Sequence, residues 1–353
     1  MRKINRILIY RIGNLGDIIC AMPAMVAVRQ HFPDAWIGLL TNKETKGNPD
    51  PEEILKENNF LNEIITYETS RIHKPLYLFE LLRKIRSFKI DLFVYLSISK
   101  ITHKRLIRDW MFFRLGSCKR IVGFKMPKPI KFSLENGVRI PVFPQEIDRL
   151  ISLLIPLGID PQKKEFRLPV ILKDKQHADR IWNKYKLNEK NNIVAICPGA
   201  KFPVKHWPIN RFGQVAHILQ DQYNAKIILI GGQSDKKAGI EITNNCKNPI
   251  INIIGETSYM ETAEILRRCN LLIANDCGPV HLAAAVGTKV VGIYSSRDFP
   301  GSWHPWGKKH TILRNDSFSC RFCLRTECES MHCINSITVK QVIEACRKYL
   351  VKI

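Results

Sequence analysis

The stretch Leu271-Leu272-Ile273-Ala274-Asn275-Asp276-Cys277-Gly278-Pro279-Val280-His281 decides the fold. A short apolar run reads as a buried strand, and Gly278 turns it into a helix that continues through the small residues Leu282-Ala283-Ala284-Ala285-Val286. Unpaired N–H groups in a helix's first turn, together with the positive end of its dipole, make such a corner a receptor for phosphate. Gly278 would let a diphosphate come close to the main chain. A second corner of this kind lies near the start: the strand Arg6-Ile7-Leu8-Ile9-Tyr10, the loop Ile12-Gly13-Asn14-Leu15-Gly16, then Asp17 and a helix beginning Ile18-Ile19-Cys20-Ala21. Two corners so far apart predict two nucleotide-fold domains facing a shared cleft.

Working outward, strand-like and helix-like patterns alternate. Strands are expected at 6–10, 35–40 and 92–96, with helices at 17–31 and 75–87 between them. A basic, aromatic segment at 100–131 breaks the rhythm. After a helix at 147–157 that ends at Gly158, and another at 174–186, the rhythm restarts. Strands at 193–196, 226–230, 251–254, 271–274 and 289–294 then alternate with helices at 210–223, 235–246, 260–268 and 279–286. This βαβ repetition implies parallel sheets covered on both faces. The domains read as 1–172, a linker over 173–192, a second domain over 193–337, and a closing helix within 338–353.

A chain of 353 residues suits two domains of about 150 to 200 residues each. Hydrophobic and charged contents of 45% and 25% are those of a globular protein. The net charge of +23 is the departure from average and predicts a polyanionic partner: nucleic acid, an anionic membrane surface or a phosphorylated glycolipid. No nucleic-acid module signature appears, which disfavours the first. Arg11 and Asp17 interrupt the N-terminal apolar run too early for a signal peptide, and no window reaches the roughly 18 uncharged residues of a membrane span. The expected location is cytoplasmic, with peripheral attachment at the inner face of the cell membrane. Most of the eleven cysteines are scattered through predicted elements and read as reduced core residues.

Several groups could carry chemistry. Cys197-Pro198-Gly199-Ala200 ends the first strand of the second domain, and Lys205-His206-Trp207-Pro208 follows before a helix containing Arg211-Phe212. Ligands of open α/β sheets bind beyond the carboxyl ends of strands, so Lys205 is placed to neutralise a phosphate at the Asp276–His281 corner. Gly231-Gly232-Gln233 would form part of the same rim. Each motif taken alone is also what an ordinary turn requires. Asp17 at a loop-to-helix junction is a helix cap or a catalytic acid, and His281 is a packed side chain or a phosphate ligand. Cys320, Cys323, Cys328 and Cys333 half-match the spacing of a structural Zn²⁺ site, against the alternative of reduced loop thiols.

As a set, these motifs resemble glycosyltransferase family 9, the ADP-heptose:lipopolysaccharide heptosyltransferases and their relatives. Ile7–Asp17 with Pro23-Ala24 looks like that family's first loop and its catalytic Asp. Pro198-Gly199-Ala200 with Lys205-His206-Trp207-Pro208 and Arg211-Phe212 looks like its second-domain entry motif, and Asn275–Ala284 like its nucleotide-sugar motif. The family usually has Thr where this chain has Cys277, which removes a hydroxyl from the expected phosphate cradle.

The resemblance implies a GT-B fold: an acceptor-binding Rossmann-like domain that supplies Asp17, and a nucleotide-sugar-binding one. The implied reaction is inverting, metal-independent transfer of a sugar, with heptose from ADP-heptose as the expected donor group, to a hydroxyl of a lipopolysaccharide-core or related glycolipid. Asp17 would act as general base. Pro198, Gly199, Ala200, Lys205, Gly232, Asp276, Cys277, Gly278 and His281 would bind the donor. Arg11, Asn14, Arg105, Arg108, Lys119 and Arg120 are the acceptor-side candidates. No cofactor is required beyond the optional zinc, and no nucleic acid is a partner. A nucleotide-sugar epimerase or hydrolase on the same scaffold, and a non-catalytic basic glycolipid-binding protein, are the rival readings.

Overall fold

The computed structural model describes residues 3–43, 51–55, 57–99, 101–116, 118, 120–135, 138–162, 168–169, 171–188 and 192–351. The chain divides into two compact units, Met1–Phe166 and Arg167–Ile353.

In the first unit the elements run β1 (Arg6–Tyr10), α1 (Leu15–His31), β2 (Trp36–Asn42), α2 (Pro51–Leu55), β3 (Glu63–Tyr67), α3 (Pro75–Ser87), β4 (Leu92–Tyr95), α4 (His103–Leu115) and β5 (Arg120–Val122). The antiparallel pair β6 (Lys131–Glu135) and β7 (Val138–Val142) and the helix α5 (Glu146–Ser152) follow. The main sheet is all parallel, in the order β3-β2-β1-β4-β5. Its central strand β1 carries Ile7, Leu8 and Ile9 with no exposure, as a strand covered on both faces requires. Leu8, Tyr10, Phe93 and Tyr95 on one face pack with Leu81 and Ile85 of α3 and Phe113 of α4. α1 packs with α5.

The second unit begins with α6 (Leu172–Lys184), then β8 (Ile193–Cys197), α7 (Ile209–Tyr223), β9 (Lys226–Leu229), α8 (Lys236–Asn244), β10 (Ile251–Asn252), α9 (Tyr259–Arg267), β11 (Leu271–Asn275), α10 (Gly278–Val286) and β12 (Lys289–Tyr294). It closes with β13 (Thr311–Arg314), α11 (His332–Asn335) and α12 (Val339–Cys346). The six parallel strands are ordered β10-β9-β8-β11-β12-β13. Counted within the unit this is 3-2-1-4-5-6, the Rossmann order, whose reversal point lies between β8 and β11. Both strands of that pair are buried throughout, and they end at Cys197 and Asn275.

The structure corrects the expected boundaries. Residues read as a linker include α6, which packs on α9, and the Leu168 N–H donates to the Ala285 carbonyl, so this segment belongs to the second unit. The closing helix is likewise part of that unit's core, with Val342, Ile343 and Cys346 buried against Trp207 and Phe212. The helix expected over 147–157 ends at Ser152, and a single 3-10 turn, Ile155–Leu157, precedes Gly158.

Candidate functional site

Each unit presents one strand-to-helix corner with a concentration of partly buried charge. In the first unit the chain leaves β1 at Arg11 and passes Gly13, whose φ of +140° only glycine adopts without strain. A Cβ at Gly13 would overlap the Cβ and carboxylate of Asp17, so the missing side chain lets the loop close over the start of α1. The Gly13 N–H donates to Asn42 Oδ1 at 3.0 Å. The Asn14 N–H donates to Asp17 Oδ2 at 2.9 Å, which is the helix-capping function of this acid. Its other oxygen has a different partner: Arg11 Nη2 donates to Oδ1 at 2.9 Å. Asp17 keeps 16% side-chain exposure, whereas Arg11 has none. The acid is thus both capped and reachable.

Arg11 was expected to meet an acceptor molecule and is instead turned inward. Its Nη1 donates to the Ser97 and Leu96 carbonyls at 2.8 and 3.3 Å, and its Nη2 also reaches Glu146 Oε1 at 3.2 Å. Glu146 is in turn gripped by Arg149, Nε to Oε2 and Nη2 to Oε1 both at 2.7 Å. Sequence reading missed Glu146 and Arg149 because the contact between Arg11 and Glu146 spans 135 residues and carries no motif. Their one visible signal is the three-residue spacing of opposite charges on a short helix.

Of the remaining acceptor-side candidates, Asn14 is the N-cap of α1. Arg105 and Arg108 both pair with the buried Asp109, at 3.7 and 2.7 Å. Asp109 also accepts from the Tyr95 hydroxyl at 2.7 Å. Arg120 is exposed on β5, and Lys119 lies outside the described residues.

In the second unit β8 and β11 end side by side. Asn275 is fully buried and joins the motifs: its Nδ2 donates to the Pro198 carbonyl at 2.6 Å, and its Oδ1 accepts from the Trp207 N–H at 3.2 Å. Gly199 is held against Asp235, whose carboxylate a Cβ would overlap. Asp235 Oδ2 accepts from the Gly232 N–H at 2.9 Å. The Ala200 carbonyl is 2.8 Å from His206 Nε2. Cys277 is the N-cap of α10, with no side-chain cap hydrogen bond, and its Sγ lies 3.8 Å from Cys197 Sγ. Gly278 and Pro279 form the helix's first positions. His281, one turn in, is buried, with its ring edge-on to Trp303 at 5.9 Å.

Lys205 is not held out toward solvent. Its Nζ is 2.5 Å from Asp276 Oδ2 and 3.6 Å from Asp298 Oδ2. Burial pulls its pKa down, but the two carboxylates outweigh that and raise it above the ordinary lysine value. Asp298 is also ion-paired with Arg297, whose guanidinium lies over the Phe202 ring at 5.0 Å. The loop Ser295–Asp298 after β12 is buried and was missed by sequence reading, since it resembles an ordinary polar turn. His304, in the same neighbourhood, is driven down to about 4, by burial first and then by Arg314.

The cysteine-rich tail has a structural part in this corner. Main-chain bonds join Phe322 N–H to the Ser296 carbonyl at 2.7 Å and Leu324 N–H to the Arg297 carbonyl at 3.0 Å. The Val204 N–H reaches the Thr326 carbonyl at 3.3 Å, so the tail clamps both loops that carry the Lys205–Asp298 charges. The zinc reading fares differently. Among the described residues no three His, Cys, Asp or Glu side chains come together as a metal-binding group; Cys320 and Cys323 are exposed while Cys333 is buried.

Comparison with known proteins matches this arrangement to a family. The profile of glycosyltransferase family 9 (heptosyltransferase) matches residues 114–334. Lipopolysaccharide heptosyltransferase 3 of Escherichia coli is 26% identical over 314 residues, 82% of each chain. Among solved structures, a family 9 glycosyltransferase from Veillonella parvula superposes with a TM-score of 0.74 at 20% identity, covering 98% of this chain and 97% of its own. The E. coli ADP-heptose lps heptosyltransferase II gives 0.68 at 19% identity, covering 98% of both chains. The shared fold is GT-B, built from two Rossmann-like domains. The chain belongs to glycosyltransferase family 9, the heptosyltransferases, and is a glycosyltransferase.

Proposed function

We propose that this enzyme moves a heptose from ADP-heptose to a hydroxyl of a lipopolysaccharide-core or related glycolipid, with inversion and without a divalent metal. The observation that carries the reading is Asp17: a carboxylate fixed by Arg11 and by the Asn14 N–H, yet still accessible, at the position of the family's acid. Asp17 takes the proton of the acceptor hydroxyl as that oxygen attacks the anomeric carbon. Charge growing on the departing diphosphate is met by the first-turn N–H groups of α10 and by Lys205, which exchanges part of its contact with Asp276 and Asp298 for phosphate. Similarity to an ADP-heptose enzyme and to a lipopolysaccharide enzyme supports the donor and acceptor classes.

The test is transfer by purified protein in the presence of EDTA, with ADP-heptose and a heptose-deficient core glycolipid, reading the anomeric configuration of the product. Inverted product without added metal is expected. Turnover of the donor without acceptor would favour an epimerase or hydrolase. Asp17→Ala should abolish transfer with nucleotide affinity almost unchanged, and turnover equal to wild type would remove Asp17 from the mechanism.

A cytoplasmic location with attachment to the inner membrane face completes the reading. No helix among the described residues is long and apolar enough to cross a membrane. Instead α4 carries Ile107, Met111 and Leu115 at successive four-residue steps, each more than half exposed, among Lys104, Arg108 and Arg114. Leu76 and Phe79 are exposed on α3, which covers the same sheet face. An apolar stripe with a basic border suits an anionic bilayer, where each cation near the surface contributes about 1 kcal/mol. Co-sedimentation with phosphatidylglycerol vesicles, lost with neutral lipid and weakened by Met111→Glu, is the expected result.

A further inference from the structure

The Arg11 guanidinium is shared between two carboxylates. Nη2 is 2.9 Å from Asp17 Oδ1 and 3.2 Å from Glu146 Oε1, while Nε reaches only the main-chain carbonyl of Asp17, at 3.2 Å. Arg11 therefore meets the Asp17 carboxylate through one nitrogen, on Oδ1, rather than by the two-pronged bridge that arginine usually makes with a carboxylate. Glu146 is nearly without exposure, and Arg149 closes on both of its oxygens. Arg149 also donates to the Ser97 carbonyl, the group that receives Arg11 Nη1. Among the described residues, Arg11 after β1 bonds Asp17 directly, and Glu146 and Arg149 on α5 stand behind Arg11; all four charges act on the buried Cys20 thiol of α1. The four charged side chains sum to zero.

A buried ion pair is seldom the most stable way to fill a core; apolar residues of similar volume often do as well or better. Two such residues brought from α5 to the back of a reactive carboxylate therefore call for an explanation beyond packing. We propose that Glu146 and Arg149 are positioning residues for Asp17: they hold Arg11 between two acids, so that Asp17 is oriented by the guanidinium without being fully neutralised by it. The inference rests on the reading of Asp17 as general base. With Glu146 uncharged, Arg11 turns wholly to Asp17, which then binds a proton less readily and is the weaker base.

The test compares Glu146→Gln, Glu146→Gln/Arg149→Met and Asp17→Asn with wild type, measuring kcat and KM against pH with donor and glycolipid acceptor. The double variant keeps the cluster neutral, so it folds if the single variant does not, as melting will report. Both Glu146 variants should shift the acid limb of kcat to lower pH. Their plateau should fall about ten-fold, less than the roughly 10²–10⁴ lost with the general base itself, with donor KM changed less than about two-fold. A profile and plateau matching wild type, alongside an inactive Asp17→Asn, would overturn this inference alone. An active Asp17→Asn would overturn the assignment of the base itself.

Discussion

Lys205 Nζ lies 2.5 Å from Asp276 Oδ2, in a pair whose side chains are only 11% and 10% exposed. The lysine that sequence places against phosphate is therefore already neutralised, and a diphosphate must compete with an acid for it. Removing one partner of a mostly buried pair leaves the other charge unsatisfied, which costs about 3–5 kcal/mol where burial is complete. Lys205→Met should accordingly lose about 3 kcal/mol of stability, and Lys205→Met/Asp276→Asn should recover at least half of it. Urea unfolding would measure this, while both variants lose donor affinity in nucleotide titrations. The raised lysine pKa contributes stability that is present below the unfolded value, near pH 10.4, and is lost only as pH rises through the folded value above it. Lys205 therefore does not titrate in the neutral range.

Gly13→Ala tests the first corner. The new Cβ needs the space of the Asp17 side chain, in a backbone conformation that L residues rarely adopt. Strain of this kind costs about 1–3 kcal/mol, and displacing the carboxylate should lower kcat by at least about ten-fold. Wild-type kcat in a folded Gly13→Ala protein would contradict this close approach.

Acid should weaken the second unit through His304. Burial, with Arg314 nearby, lowers its folded value to about 4, so between the unfolded value near 6.5 and 4 the unfolded chain binds the extra proton. Stability from this group is complete above pH 6.5 and declines as pH falls toward 4, by roughly 2 kcal/mol for a half-buried ring. His304→Gln should flatten the melting temperature over that range; an unchanged slope would assign the acid sensitivity elsewhere.

Cys277→Thr restores a hydroxyl at the N-cap of α10, where the thiol makes no capping bond. A threonine there should add about 0.5–1 kcal/mol of stability. It should also lower the donor KM, because the hydroxyl is a stronger hydrogen-bonding group for phosphate than a thiol. A higher KM would mean that the Cys197–Cys277 contact itself shapes the pocket.

Elements with an all-apolar run were legible: β1, β8, β11 and β12 fall where the sequence puts them, and so do the helices that follow β1, β8 and β11. The strands that escaped notice, β3, β5, β6, β7 and β13, are all sheet edges, β6 and β7 as the two members of a two-stranded sheet. An edge strand is covered less completely, so Glu63-Ile64-Ile65-Thr66-Tyr67 and Thr311-Ile312-Leu313-Arg314 carry too much polarity to stand out from a loop. The segment 100–131 looked irregular because the apolar stripe of α4 points outward while Asp109 points inward.

The sequence by itself determined the two sheets, the corner at the end of each central strand, and the small or acidic residues those corners need, because each depends on neighbours only a few positions apart. Tertiary structure alone decided which charges meet. Arg11 finds Glu146 across 135 residues, and Lys205 finds Asp276 across 71 and Asp298 farther still. Ion pairs have no periodicity, and their partners are chosen by how the helices and loops stack around the strands.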